Sequence, residues 1–189
     1  MSSPDRSRSP RHPGRRTVLS LMLLGGAAVV AGCQVRPLYA DRADGVSTND
    51  DMRAIAVKYD RPSDDDITRI LQKLRNELAF DFSGGGEALP PRFELRLFLS
   101  ERESEVGIEE DQDVPAARLV SITATFTLTD LESRTVVISG TSFATASYDF
   151  SSQRFANIRA LRDAEDRAAV SLAANIRTRV AAALATRGT

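Results

Sequence analysis

Cys33 stands directly behind Val30-Ala31-Gly32, at the end of an apolar run that begins at Thr17. Small residues before a cysteine that closes such a run form a lipobox. There a diacylglycerol is attached to the sulfur and the chain is cut just before it. The run is shorter than the roughly 20 residues a membrane-spanning helix needs. Arg6, Arg8, Arg11, Arg15 and Arg16 precede it, so a basic start, an apolar middle and a small-residue end make up a bacterial secretion signal. Arg15-Arg16 leaves twin-arginine export open beside the general route. The other reading of these residues is an ordinary signal followed by a free cysteine. On the lipobox reading residues 1–32 are removed and a triacylated Cys33 opens a mature chain of 157 residues. Two or more acyl chains give the stable attachment that one does not.

Little other chemistry remains. Cys33 is the only cysteine and His12, the only histidine, falls in the removed segment. The mature chain therefore has no thiol nucleophile, imidazole base, disulfide or Cys/His metal site. Without tryptophan it also offers little for a sugar cleft, so no enzyme, metal or cofactor is expected beyond the covalent lipid. Removing five arginines and Asp5 from 25 basic and 26 acidic residues leaves 20 against 25, a net charge of −5. Such acidity gives no footprint for nucleic acid. Lys58 and Lys73 are the only lysines among those 20 cations. Cationic recognition would thus rely on guanidinium groups, which suit phosphate and carboxylate, although a GC-rich genome gives the same bias.

The elements that position these groups follow from hydrophobic period. Residues 33–52, with Pro37, Gly45 and several aspartates, predict a lipidated N-terminus and tether, and 53–189 the domain. "RAIAVKYD" (53 to 60) alternates with period two and predicts a strand. In the next segment Ser63 and Asp66 have capping-box spacing, and Ile67, Ile70, Leu71, Leu74 and Leu78 recur as on an amphipathic helix. Asp64-Asp65-Asp66 fits the first turn of that helix, where its dipole favours acids, better than a metal site. Phe93, Leu95, Leu97 and Leu99 predict a second strand. The acid-rich stretch 101 to 118 lacks calcium-loop spacing and predicts a solvated hairpin tip. "LVSITATFTLTD" then sends Val120, Ile122, Ala124, Phe126 and Leu128 inward and a series of hydroxyls outward. "VVISGTSFATASY" continues those hydroxyls with Ser139, Thr141 and Thr145. A long helix from Phe155 to Ala185 carries Ile158, Leu161, Ala168, Leu172, Ile176, Val180 and Leu184 as its stripe. The expected fold is α+β: a two-layer sandwich, two helices packed on one face of a four-stranded sheet, in the order β-α-β-β-β-α.

"GCQVRPLY", "RLVSITATFTLTD", "VVISGTSFATASYDF" and "SSQRFANIRALRDAEDRAAVSLAANIRTRV" together resemble the LPS-assembly lipoprotein (LptE) family in its alphaproteobacterial form. The resemblance covers essentially the whole chain. "GCQVRPLY" and the "ASYDF" strand end are its most specific parts. Gln34 stands where a glycine commonly follows the lipidated cysteine, and a residue other than aspartate there agrees with sorting to the outer membrane. The resemblance implies a non-enzymatic lipoprotein on the periplasmic side of the outer membrane. Such a protein plugs and helps assemble the LptD β-barrel and takes part in lipopolysaccharide transport. A lipid-anchored periplasmic binding module for another envelope component is the alternative.

A sheet face of threonine and serine would suit a barrel's polar lumen, and strand propensity explains the same residues equally well. For lipopolysaccharide phosphates the candidates are Arg92, Arg96 and Arg118, if they share an exposed edge. The competing reading pairs them with nearby carboxylates such as Glu94, Glu101 and Glu103.

Overall fold

A computed structural model describes residues 47–187, except 61, 63 and 110–113, and gives backbone alone at 107–109 and 114–116. The readings placed on residues 1–46, Cys33 among them, lie outside the described residues.

Seven elements follow one another: α1 (Thr48–Arg53), β1 (Ile55–Tyr59), α2 (Asp65–Ser83), β2 (Phe93–Glu109), β3 (Val114–Asp130), β4 (Val136–Asp149) and α3 (Arg154–Thr186). The strands lie side by side in chain order. β1 runs parallel to β2, and β2–β3 and β3–β4 are antiparallel. Connection length explains the difference: α2 supplies the crossover that a parallel pair needs, whereas a tight turn suffices for an antiparallel pair. α2 packs on β1 and β2, α3 packs on β3 and β4, and the two helices touch each other. The α+β arrangement is the expected one, with α1 added ahead of β1.

Period two sets the core. Phe93, Leu95, Leu97 and Leu99 of β2 are buried with Val120, Ile122, Ala124, Phe126 and Leu128 of β3. Each large side chain so buried contributes roughly 1.5–3 kcal/mol relative to exposure. β4 offers smaller groups, Ser142, Ala144 and Ala146, and α3 meets them with Ala164, Ala168, Ala169 and Ala173. Small residues on both sides let this helix lie close to its strand. Leu172, Ile176, Val180 and Leu184 fill the space beyond. On α2, Ile70, Leu71, Leu74, Leu78 and Phe82 form the buried stripe. The helix ends at Gly84, whose φ of 61° permits the left-handed cap that returns its N–H to the Phe80 carbonyl.

Four sequence expectations are corrected. The cap of α2 is Asp64, whose carboxylate accepts from Asp66 N–H at 2.9 Å and Ile67 N–H at 3.3 Å; Ser63 lies outside the described residues. The tether does not extend to residue 52. Residues 48–53 are helical, with Met52 and Asp51 buried, because Met52 joins the core and Asp51 meets Arg92. The acidic stretch is mostly strand: β2 continues to Glu109 and β3 resumes at Val114. Backbone pairing tolerates charge there because the side chains of 102–106 reach solvent. Ile158 is 40% exposed, since it lines a surface cleft rather than the core.

A charged clamp joins the ends of these elements. Asp130 Oδ1 accepts from the N–H groups of Glu132 and Ser133, both at 2.9 Å, and Arg187 at the end of α3 lies 2.8 Å from Oδ2. On the other side Arg92 holds Asp51 at 2.8 Å. Both guanidinium groups lie against the Phe93 ring, at 5.4 and 5.5 Å. The Ser133 N–H, together with Arg187 and the Glu132 N–H, holds the Asp130 carboxyl below the usual carboxylate range, against the opposing effect of burial. A depressed acid stabilises the fold above its unfolded pKa, about 4, and loses that contribution as pH falls through the folded value. Asp130→Asn is therefore expected to lower the urea midpoint at neutral pH and to flatten its fall below about pH 4. Urea titrations of both proteins across that range check this.

Candidate functional site

The uncovered face of the sheet is built by the residues that period two turns away from the helices. Neighbouring strands bring them into rows: Arg96–Thr127–Ser139, Phe98–Thr125–Thr141, Ser100–Thr123–Phe143 and Arg102–Ser121–Thr145. Thr125 and Thr141 place their hydroxyls 3.5 Å apart. Phe98 and Phe143 stand 72% and 67% exposed among these hydroxyls, on adjacent rows with β3 between them. At the β1 end, Lys58 and Arg96 hold Glu94 at 3.3 and 3.1 Å. Hydrogen bonding from Lys58 first, and from Arg96 after it, keeps the Glu94 carboxyl below its ordinary range. The centre of the face is thus neutral, hydroxyl-rich and aromatic.

The three candidate arginines do not form a cluster. Arg92 precedes β2 and is taken by Asp51. Arg96 is on the uncovered face with Glu94. Arg118 is on the helix side, 3.2 Å from Glu103 and 3.4 Å from Glu105, with its guanidinium 4.5 Å from the Phe150 ring. The cause is register. Even-numbered residues of β2 face out whereas even-numbered residues of β3 face the core, so Arg96 and Arg118 fall on opposite faces. The register also separates them by nine residues along the sheet, roughly 30 Å at the rise of a strand. Pairing with carboxylates, the competing reading, describes all three.

Arg118 instead belongs to a cleft of 380 Å³ between the end of β4 and the start of α3, lined also by Glu103, Tyr148, Phe150, Arg154 and Leu161. Tyr148 donates its hydroxyl to Glu103. Burial, and then this bond to a carboxylate, push the phenol up to about 12, so it remains a neutral donor at physiological pH. Phe155, 84% exposed, stands on the first turn of α3 near the cleft. Sequence reading missed this place. Its available signal was Arg118 and Tyr148 at inward positions of their strands, where a polar tip must find a partner. Among the described residues no group of three or more His, Cys, Asp or Glu side chains could hold a metal ion.

By sequence, no family model matches the chain and no curated protein matches it. Solved structures do match. A protein described as a lipoprotein from Caulobacter crescentus is 21% identical with a TM-score of 0.60, and the match covers 75% of this chain and 98% of that one. Rare lipoprotein B from Shewanella oneidensis is 11% identical with a TM-score of 0.50, covering 67% and 92% respectively. What they share with this chain is the fold. The likeness spans nearly the full length of each of those two proteins.

The separation of the arginines has a measurable consequence. Arg96→Ala and Arg118→Ala are expected to act independently, their effects on urea unfolding adding to within roughly 0.5 kcal/mol in the double variant. A coupling well above that would place them in one network.

Proposed function

We propose that this chain is an outer-membrane lipoprotein, anchored on the periplasmic side through acylated Cys33. Its domain plugs and helps assemble the LptD β-barrel and takes part in lipopolysaccharide transport to the outer leaflet, without enzymatic activity. The observation that carries the reading is the uncovered sheet face. Threonine and serine hydroxyls exchange water for a partner's polar groups at far lower desolvation cost than charges incur, and a barrel lumen is lined by polar side chains. Phe98 and Phe143 add exposed aromatic area of the kind that anchors interfaces. The fold likeness to lipoproteins and the Cys33 lipobox both support the anchor.

The deciding experiment solubilises outer membranes in mild detergent, pulls on the full lipidated chain and asks whether a large β-barrel is retained. Retention is expected. Phe98→Asp with Phe143→Asp is expected to reduce it strongly while leaving the urea midpoint nearly unchanged, because exposed substitutions shift stability by only about 0.5 kcal/mol. Retention of a different envelope component, with no barrel, would favour the binding-module alternative, for which the Arg118–Tyr148 cleft would be the natural site. The anchor is tested separately. Cys33→Ser is expected to lose metabolic palmitate labelling, and labelling that persisted would refute acylation at this position.

A further inference from the structure

Sheets carry open rows of N–H and C=O groups along their edges, and natural proteins cover or charge those rows. Two edge segments here are managed in this way. Along β4, α3 reaches over with side chains. Arg167 Nη2 donates to the Ser147 carbonyl at 2.8 Å, Asn175 Nδ2 to that of Phe143 at 3.5 Å, and Arg179 Nη1 to that of Thr141. Gly140 leaves room for the last of these, since a Cβ there would stand 2.5 Å from Arg179 Nη2. Along β2 beyond the reach of β1, the run Glu101, Arg102, Glu103 and Glu105 charges the strand.

β1 has neither protection. Its sequence is Ile-Ala-Val-Lys-Tyr, and its one charge, Lys58, is engaged on the uncovered face by Glu94. Among the described residues no strand pairs with its outer side. The direction of its peptide groups follows from the pairing. Phe93 N–H donates to the Ala54 carbonyl and Ile55 is in register with Phe93. Alternation then turns the peptide groups of Ala54, Ala56 and Lys58 toward β2, and those of Ile55, Val57 and Tyr59 toward the open edge. Beside that edge runs a groove of 510 Å³, bounded by Arg75 and Ala79 of α2 and by Ala88. The alanines leave room for a main chain. Arg75 makes one long hydrogen bond, 3.5 Å to its neighbour Asn76, which leaves its guanidinium available to a carboxylate.

We infer that the outer edge of β1 accepts an extended segment of the barrel partner as a fifth strand. The strand carries an acidic side chain that meets Arg75 and a small or apolar one over Ala79. The inference rests on the proposed pairing with a barrel for the source of the strand. A main-chain row unpaired among the described residues specifies another extended chain as its occupant, because only a strand returns alternating donors and acceptors at about 4.8 Å, and the cationic wall selects an acid.

The test compares hydrogen exchange in the full chain alone and in the detergent-solubilised complex with the barrel. The Val57 and Tyr59 amides are expected to slow by about tenfold or more in the complex, while the outward amides of β4 keep their free-chain rates. Arg75→Glu and Ala79→Trp, at exposed positions, are expected to weaken barrel retention and to cancel the protection without shifting the urea midpoint. A barrel retained with β1 amides exchanging as in the free chain would overturn this inference and leave the proposed function standing. No barrel retained would overturn both. Protection that appears in the free chain with rising concentration, together with a dimer mass, would assign the edge to a second copy of this chain and likewise overturn it.

Discussion

A strand presents successive side chains to opposite faces, and here two helices cover one face of four strands. Phe93–Leu99 on β2 and Val120–Leu128 on β3 fix which parity is buried. A shift of one residue in either strand would move its whole apolar set into water, so the register is strongly determined. Everything opposite is fixed with it. Thr123, Thr125 and Thr127 are outward because Ile122, Ala124, Phe126 and Leu128 are inward, and Phe98 is outward because Leu97 and Leu99 are buried. The face to which function is assigned is thus the complement of the core.

The same constraint sets how the helices differ. α3 must cover β3 and β4 with a strand of small residues beneath it, so its inner face is largely alanine, and it has long side chains to spare at its margin. Arg167, Asn175 and Arg179 are spaced at i, i+8 and i+12, which spreads them over about 120° of the helix surface. Their length lets all three reach the carbonyl row of β4. α2 has a wider stripe of leucine, isoleucine and phenylalanine, and it is joined to α3 through Arg69, which meets the buried Glu165 and holds Asp166 at 2.7 Å. A buried carboxylate without such a partner would be costly. Arg69 thus offsets the burial of Glu165 where the two helices meet.

Much of this was legible in the sequence, and most of what was not depends on contacts between elements. Period two and period 3.6 each depend on a residue's own neighbours, so the strands, the stripes and the layer order could be read directly. Arg92, Arg96 and Arg118 could not, because their grouping depends on register between strands and on parity, which reverses from β2 to β3. The cleft at Tyr148 escaped for the same reason: it is made by β2, β3, β4 and α3 together. α1 was hidden by composition. Thr48, Asn49 and Asp50 look like linker residues, yet Ser47 caps them by accepting from the Asn49 N–H at 3.1 Å, and Met52 and the Asp51–Arg92 pair hold the turn in place. The cap of α2 fell one residue from the expected place, within the usual uncertainty of a helix end.

The division of labour between the two faces bears on how a plug of this kind would work. Charge on the uncovered face is confined to its ends, at Lys58, Glu94 and Arg96 and at Arg102 and Asp149, leaving a neutral centre. Under the proposed reading that centre is desolvated when the domain enters a barrel. The cost per hydroxyl is small because a polar lumen returns the hydrogen bonds lost to water. A charged face would demand a matching charge at every position, and a fully apolar one would aggregate before it met its partner. A hydroxyl face avoids both outcomes at the expense of affinity, which, on the proposed reading, the exposed Phe98 and Phe143 and the lipid anchor would supply. On the same reading an anchor at Cys33 would confine the domain to the membrane surface where the barrel lies, so that modest contact energy would suffice at the high local concentration this creates.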